Sequence, residues 1–427
     1  MVHPSGDHGP DADRQRSGEL PEQPFSINIL RDLLPESKAP SEQQSEHVSV
    51  ALRDVITRRE DTISYHNQIR EQIERAEHAL SSPFEIRPPS ESELPPLYQQ
   101  IRDQCQKLEQ CVERHEAAIN AHDEACDLEH LASRFQRDPE SLTAGERQVL
   151  RTVSAQMTEK STYPSSLEAF QASVLRHEIT LVAAEAEMHA QQAKLHDLMA
   201  QHYQTESDRW KELAVSAQTQ GDRQAAAEHF VQMAAARHQM AVERLQAAEA
   251  RQEGYSDARF SISEALKTIE LQTIDAARSR IKIDPDRDPA LFRMELELIN
   301  PAAAQRLAAI NAAREKLKSS SEQYDAIFEL TKQRRVEVHQ SEVVLYTAQR
   351  DLASRNGQTT DALRFEVLRA RAHRETDTSR NEADHYQLDI ATLNAIERYY
   401  QHIAGIYSAQ SSQATDVLEQ QKFAVHA

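Results

Sequence analysis

Apolar residues recur at helical spacing along most of the chain beyond residue 40, in runs that hold almost no helix breakers. Prolines are absent from 165–284 and from 302–427. A proline inside a helix costs about 3 kcal/mol and an interior glycine about 1 kcal/mol relative to alanine, so these runs predict long helices. Leu167, Val174, Leu181, Met188 and Leu195 recur every seventh residue, with Phe170, Ala184 and Leu198 in the intervening register. That is coiled-coil spacing, and it predicts helix pairing without saying which helix is the partner. Ile310, Leu317, Tyr324, Val338, Leu345 and Leu352 repeat in the same way, Thr331 taking the missing step. Leu181 and Leu345, in mid-series, are expected in buried seams.

Breakers divide the pattern into an all-α chain of successive long antiparallel helical hairpins, an elongated arrangement preceded by a disordered arm at 1–40. Within that arm Phe25, Ile27, Ile29, Leu30, Leu33 and Leu34 form an amphipathic segment at 25–34, closed by Pro35. Its leucines share one helical face, as a groove-docking peptide requires; packing back on its own bundle is the alternative. The first hairpin, 41–137, starts with Ser41 and Gln44 in capping-box spacing. One arm carries Leu52, Ile56, Ile63, Ile69, Ile73 and Leu80, the other Leu97, Ile101, Leu108, Ile119, Leu128 and Phe135, and the stiff segment Pro83–Pro96 joins them. A short-helix connector at 138–163 contains Asp138-Pro139 and a second capping box, Thr143 to Glu146.

The second hairpin, 164–282, turns near Gly221-Asp222, where glycine suits the left-handed position after a helix and aspartate caps the next. Each arm would reach roughly 80–90 Å at 1.5 Å per residue. Around this turn Trp210, Leu213, Ala214, Gly221, Ala226 and Phe230 resemble a single tetratricopeptide-type helical hairpin, with no tandem copy elsewhere, which supports the turn. A connector at 283–300 holds a short helix and the cap Asn300-Pro301; the third hairpin, 301–427, turns near Asn356-Gly357. On its return arm Leu393, Ile396, Tyr400, Ile403 and Tyr407 alternate by three and four, so the far end of this hairpin is expected to be its best-packed part.

Composition agrees with narrow seams. Hydrophobic residues make up 39% of the 427 and aromatic ones 5%, below the roughly 45–50% apolar content of ordinary globular chains. Thin seams leave no enclosed volume for a small molecule. The net charge of −20 disfavours nucleic acid and anionic membranes as partners. Cys105, Cys111 and Cys126 are an odd number and read as reduced thiols, and no apolar run approaches a membrane span.

Candidate chemistry is sparse. Cys111, His115, His122 and Cys126 share a helical face with His130 one turn on, but ligands spread over four turns of a rigid helix cannot converge on one ion, and no metal is assigned. His177, His189, His196 and His202 read as an exposed helix face, with a pH-sensitive seam as the alternative. Phosphate loops, nucleophile elbows and zincin motifs are missing, so neither an enzyme nor a cofactor is expected.

The reading is a non-enzymatic coiled-coil scaffold or adaptor, cytoplasmic, with protein partners and a capacity for self-association. The competing readings are a bacterial effector or export-system component carried by a leaderless route, and a helical membrane-surface module. Partner binding is assigned to Phe25, Ile29, Leu30, Leu33 and Leu34 of the arm and to a locally basic hairpin tip, Arg350, Arg355, Arg364, Arg369, Arg371 and Arg374.

Overall fold

The computed structural model describes residues 47–81, 94–158, 166–278, 281, 283, 287–319, 321–380 and 390–407. The segment 25–34, the rest of the N-terminal arm, most of the proline-rich connector and residues 408–427 lie outside the described residues. Every regular element among the described residues is helical. In chain order they are α1 (His47–Ser81), α2 (Leu94–Arg137), a 3-10 turn (Pro139–Ser141), α3 (Ala144–Thr158), α4 (Ser166–Thr219), α5 (Arg223–Arg278), α6 (Pro289–Ile299), α7 (Pro301–Ser319), α8 (Ser321–Arg355), α9 (Thr359–Arg380) and α10 (390–407).

Local chemistry sets the boundaries. Asp138 accepts from the Glu140 N–H, and Thr143 and Glu146 close a reciprocal capping box, with Glu146 N–H donating to Thr143 Oγ1 at 3.2 Å and Thr143 N–H to Glu146 Oε2 at 2.7 Å. Asp288 and Asn300 accept from Leu291 N–H and Ala303 N–H to start α6 and α7. At the two hairpin turns Gly221 and Gly357 take φ of 80° and 73°, a region a Cβ penalises. Both turns close alike: Asp222 N–H donates to Ala217 O and Gln358 N–H to Ala353 O, each at 2.9 Å.

Contacts divide the chain into two compact units. The first comprises 1–69, 108–191 and 253–324, the second 70–107, 192–252 and 325–427, so α1, α2, α4, α5 and α8 contribute to both.

In the first unit the main core joins four helices: Ile179 of α4, Ile262, Ala265 and Leu266 of α5, Phe292 and Leu296 of α6, and Ala303, Leu307, Ile310, Ala313 and Leu317 of α7. A smaller core seats α3 against α2 and α4 through Ala132, Leu142, Leu150 and Phe170. In the second unit α4 and α5 run antiparallel, since His196 meets Glu243, Ser207 meets Arg237 and Trp210 stacks on His229. The opposite side of α5 takes α8: Glu249 pairs with Arg335, His238 with Ser341, Ala234 packs with Leu345 and Ala348, and Gln224 reaches Asn356. Each unit is therefore packed from more than two helices, which the elongated two-helix seams expected from the sequence do not describe.

Alanine makes this possible. Ala234, Ala241 and Ala248 of α5 are buried at heptad spacing, and Tyr255 and Ile262 continue the series. Small side chains let a helix approach neighbours closely on more than one side. Leu345 and Thr331 are buried as the pattern requires, but Leu181 is only half-buried. On the described part of the return arm the expectation fails for three of its five positions: Leu393, Tyr400 and Tyr407 of α10 are exposed, Ile396 and Ile403 are half-buried, and the buried positions there are the small Thr392 and Ala395. Glu366–Arg398 and Thr360–His402 contacts seat α10 on α9 through a different face from its apolar one.

Candidate functional site

In the first unit three buried histidines sit among polar side chains that run out to the surface, and buried imidazoles of this kind require polar partners. Tyr65 and His66 come from α1, His115 and Glu116 from α2, Glu185 and His189 from α4, and Asp257 from α5. His66, His115 and His189 are all buried. His66 Nε2 lies 2.9 Å from His115 Nδ1, and His66 Nδ1 lies 3.3 Å from Glu116 Oε1. Burial, reinforced by His66 and His189 and opposed by Glu116, pushes His115 down to about 4, so this ring is neutral at pH 7.

His189 sits where four helices converge. Its Nδ1 is 2.9 Å from the Tyr65 hydroxyl, and its Nε2 faces Asp257 Oδ2 at 4.0 Å. Glu185, one turn earlier on α4, adds a second carboxylate, and ligand atoms of Glu185, His189 and Asp257 all lie within 4.8 Å of one another. Gly254 makes room for this ring: a Cβ built there would fall 2.6 Å from His189 Cβ, closer than atoms can pack. An isolated glycine in the middle of a 56-residue helix is thereby accounted for by close helix approach.

The histidines of α4 do not form an exposed face. His189, His196 and His202 are buried and His177 is half-buried, because each buried ring finds a polar partner on a facing helix or one turn along its own. His196 lies between Glu243 Oε2 at 2.7 Å and Gln72 Oε1 at 3.2 Å, and His202 Nε2 meets Glu206 at 3.2 Å. The Cys/His stripe of α2 does not converge: His115 turns to His66, Cys111 accepts from Arg114 at 3.0 Å, and only His122 and Cys126 meet, at 3.7 Å. Burial pushes both thiols up, Cys126 to about 11, which keeps them protonated.

At the predicted basic tip, Arg355, Arg364, Arg371 and Arg374 are exposed, while Arg350 pairs with Asp351. Arg369 is half-buried and its Nε has no hydrogen-bond partner. The structure brings this tip against the turn of the second hairpin, where Gln224 Nε2 donates to Asn356 Oδ1 at 3.1 Å. The first unit also carries an open groove of about 500 Å³ between Arg259 and Phe260 of α5 and Arg314 and Lys318 of α7. Arg314 is held there by Glu270, and Arg259 lies over the Tyr324 ring.

Sequence reasoning missed a third surface. Leu291, Met294 and Leu298 of α6 lie on one face at i, i+3 and i+7 and are 48%, 63% and 84% exposed. The available signal was the α6 sequence itself, apolar on two sides.

No protein-family model, no curated protein and no solved structure matches this chain. No helix among the described residues is long and apolar enough to cross a membrane.

Proposed function

We propose that the chain is a non-enzymatic coiled-coil scaffold or adaptor that binds protein partners through the apolar ridge of α6. The observation that carries this reading is the two-sided character of that helix. Phe292 and Leu296 fix it in the core of the first unit, while Leu291, Met294 and Leu298 project from the other side. Leaving a large aliphatic side chain in water forgoes about 1.5–3 kcal/mol relative to full burial, and contiguous apolar surface of this kind marks interaction sites. The spacing is that of the anchors with which a helix enters a hydrophobic groove. Caps at both ends hold the helix in shape before a partner arrives, which lowers the ordering cost of binding.

The exposed arginines of the third hairpin tip offer the same scaffold a second surface, suited to acidic protein partners.

The test compares proteins captured from the native host's extract by the wild-type chain, by a variant carrying Leu291→Ser, Met294→Ser and Leu298→Ser, and by Arg364→Glu with Arg371→Glu. All three should show the same helicity, since the altered side chains face solvent. Partners held by the wild type are expected to disappear with the triple serine variant, and any acidic partner with the arginine reversals. Identical captured sets from all three would contradict the reading.

A further inference from the structure

We propose that Glu185, His189 and Asp257 form a binding site for one divalent first-row transition-metal ion, of which zinc is the natural probe, clamping α4 to α5. The three residues present one imidazole nitrogen and two carboxylate oxygens from two antiparallel helices, all within 4.8 Å of one another. Zinc with bonds of about 2.0–2.1 Å holds tetrahedral ligands roughly 3.3 Å apart, so closure needs only an inward rotation of the carboxylates. Asp257 can supply it, because its side chain is 52% exposed while that of His189 is 5% exposed.

The surroundings favour an ion over a plain polar contact. Tyr65 engages Nδ1 of His189, and the other ring nitrogen, Nε2, faces Asp257 Oδ2 at 4.0 Å. With a metal on Nε2, Nδ1–H donates to the Tyr65 hydroxyl oxygen, the outer hydrogen bond that fixes the tautomer and ring orientation of metal-bound histidines. Gly254 sets the distance between the helices at this level, holding the ring in place from the α5 side. A nitrogen in the ligand set selects zinc and its neighbours over magnesium, which takes oxygen alone. Three protein ligands leave one position for water, on the side where Asp257 meets solvent.

The site is independent of the α6 ridge, so either proposal can fail alone. The test uses the full chain stripped with a chelator and titrated calorimetrically with Zn²⁺, with Co²⁺ as the spectroscopic probe. One ion per chain is expected, with a rise in melting temperature on binding. Glu185→Gln and Asp257→Asn, both tolerable beside solvent, should each weaken binding about 10-fold or more. Tyr65→Phe should weaken it about 10–100-fold, as loss of such an outer hydrogen bond does, and Mg²⁺ should not compete. The proposal is overturned by a wild-type chain that takes up no ion, or by binding unchanged in both carboxylate variants. A thiolate charge-transfer band in the Co²⁺ spectrum would overturn it equally, because it would place the ion at Cys126 and His122.

Discussion

Replacing Leu266 by alanine is expected to lower the unfolding free energy by about 2–5 kcal/mol. Leu266 is fully buried in the core that joins α4, α5, α6 and α7, beside Ile262, Phe292 and Leu296. Truncation there loses the transfer free energy of the removed carbons and leaves a cavity that rigid helices on several sides cannot close. Leu271, on the same helix but 50% exposed, is the control: alanine at that position should change stability by less than about 0.5 kcal/mol. Urea denaturation of both variants checks the pair. Equal midpoints would mean that α5 does not turn Leu266 inward.

Acid should loosen the fold through His115. The ring has an ordinary pKa of 6.5 when unfolded and about 4 when folded, chiefly because burial disfavours its charged form. Between those values the unfolded chain binds more protons, so stability falls as pH drops through the window from 6.5 to 4 and is fully present above it. A displacement of this size corresponds to about 3 kcal/mol. His122 and His238, also pushed down by burial, act in the same direction. Substitution of His115 by glutamine keeps a hydrogen-bonding side chain beside His66 and removes the titration. Its pH dependence of stability should be flatter than the wild type's over this window; an unchanged slope would mean that the ring is not held neutral in the fold.

What could be read from the sequence was local. Capping at Asp138, Thr143 and Asn300 and the glycine turns at 221 and 357 depend on residues within one helical turn of each other, and each appears as its chemistry requires. Lateral packing was not legible, because a heptad stripe demands a neighbour without naming it. The stripe that decides the question on α5, Ala234, Ala241 and Ala248, carries side chains too small to register as hydrophobic signal. Counting alanine as a packing residue would have exposed it. The same limit hid the site. Glu185 and His189 stand one turn apart on α4, but Asp257 joins them only through the register of a hairpin whose turn lies at Gly221, and Tyr65 only through the packing of α1 on α4. Gly254, a lone glycine within a helical run, was the one local hint of close approach. At α10 a regular three-and-four alternation misled, since α9 meets this helix beside its apolar arc, leaving Leu393, Tyr400 and Tyr407 in solvent and Ile396 and Ile403 half-buried.

The central claim is that α6 is a protein-docking face, and a photocrosslinking side chain at Leu298, the most exposed of the ridge residues, tests it most directly. In the native host, irradiation is expected to give discrete adducts of higher mass that vanish when Leu291 and Met294 are changed to serine. A probe at the exposed Glu297 of the same helix serves as the comparison. Adducts that are absent at Leu298, or that match those from Glu297 and persist in the serine background, would contradict the account.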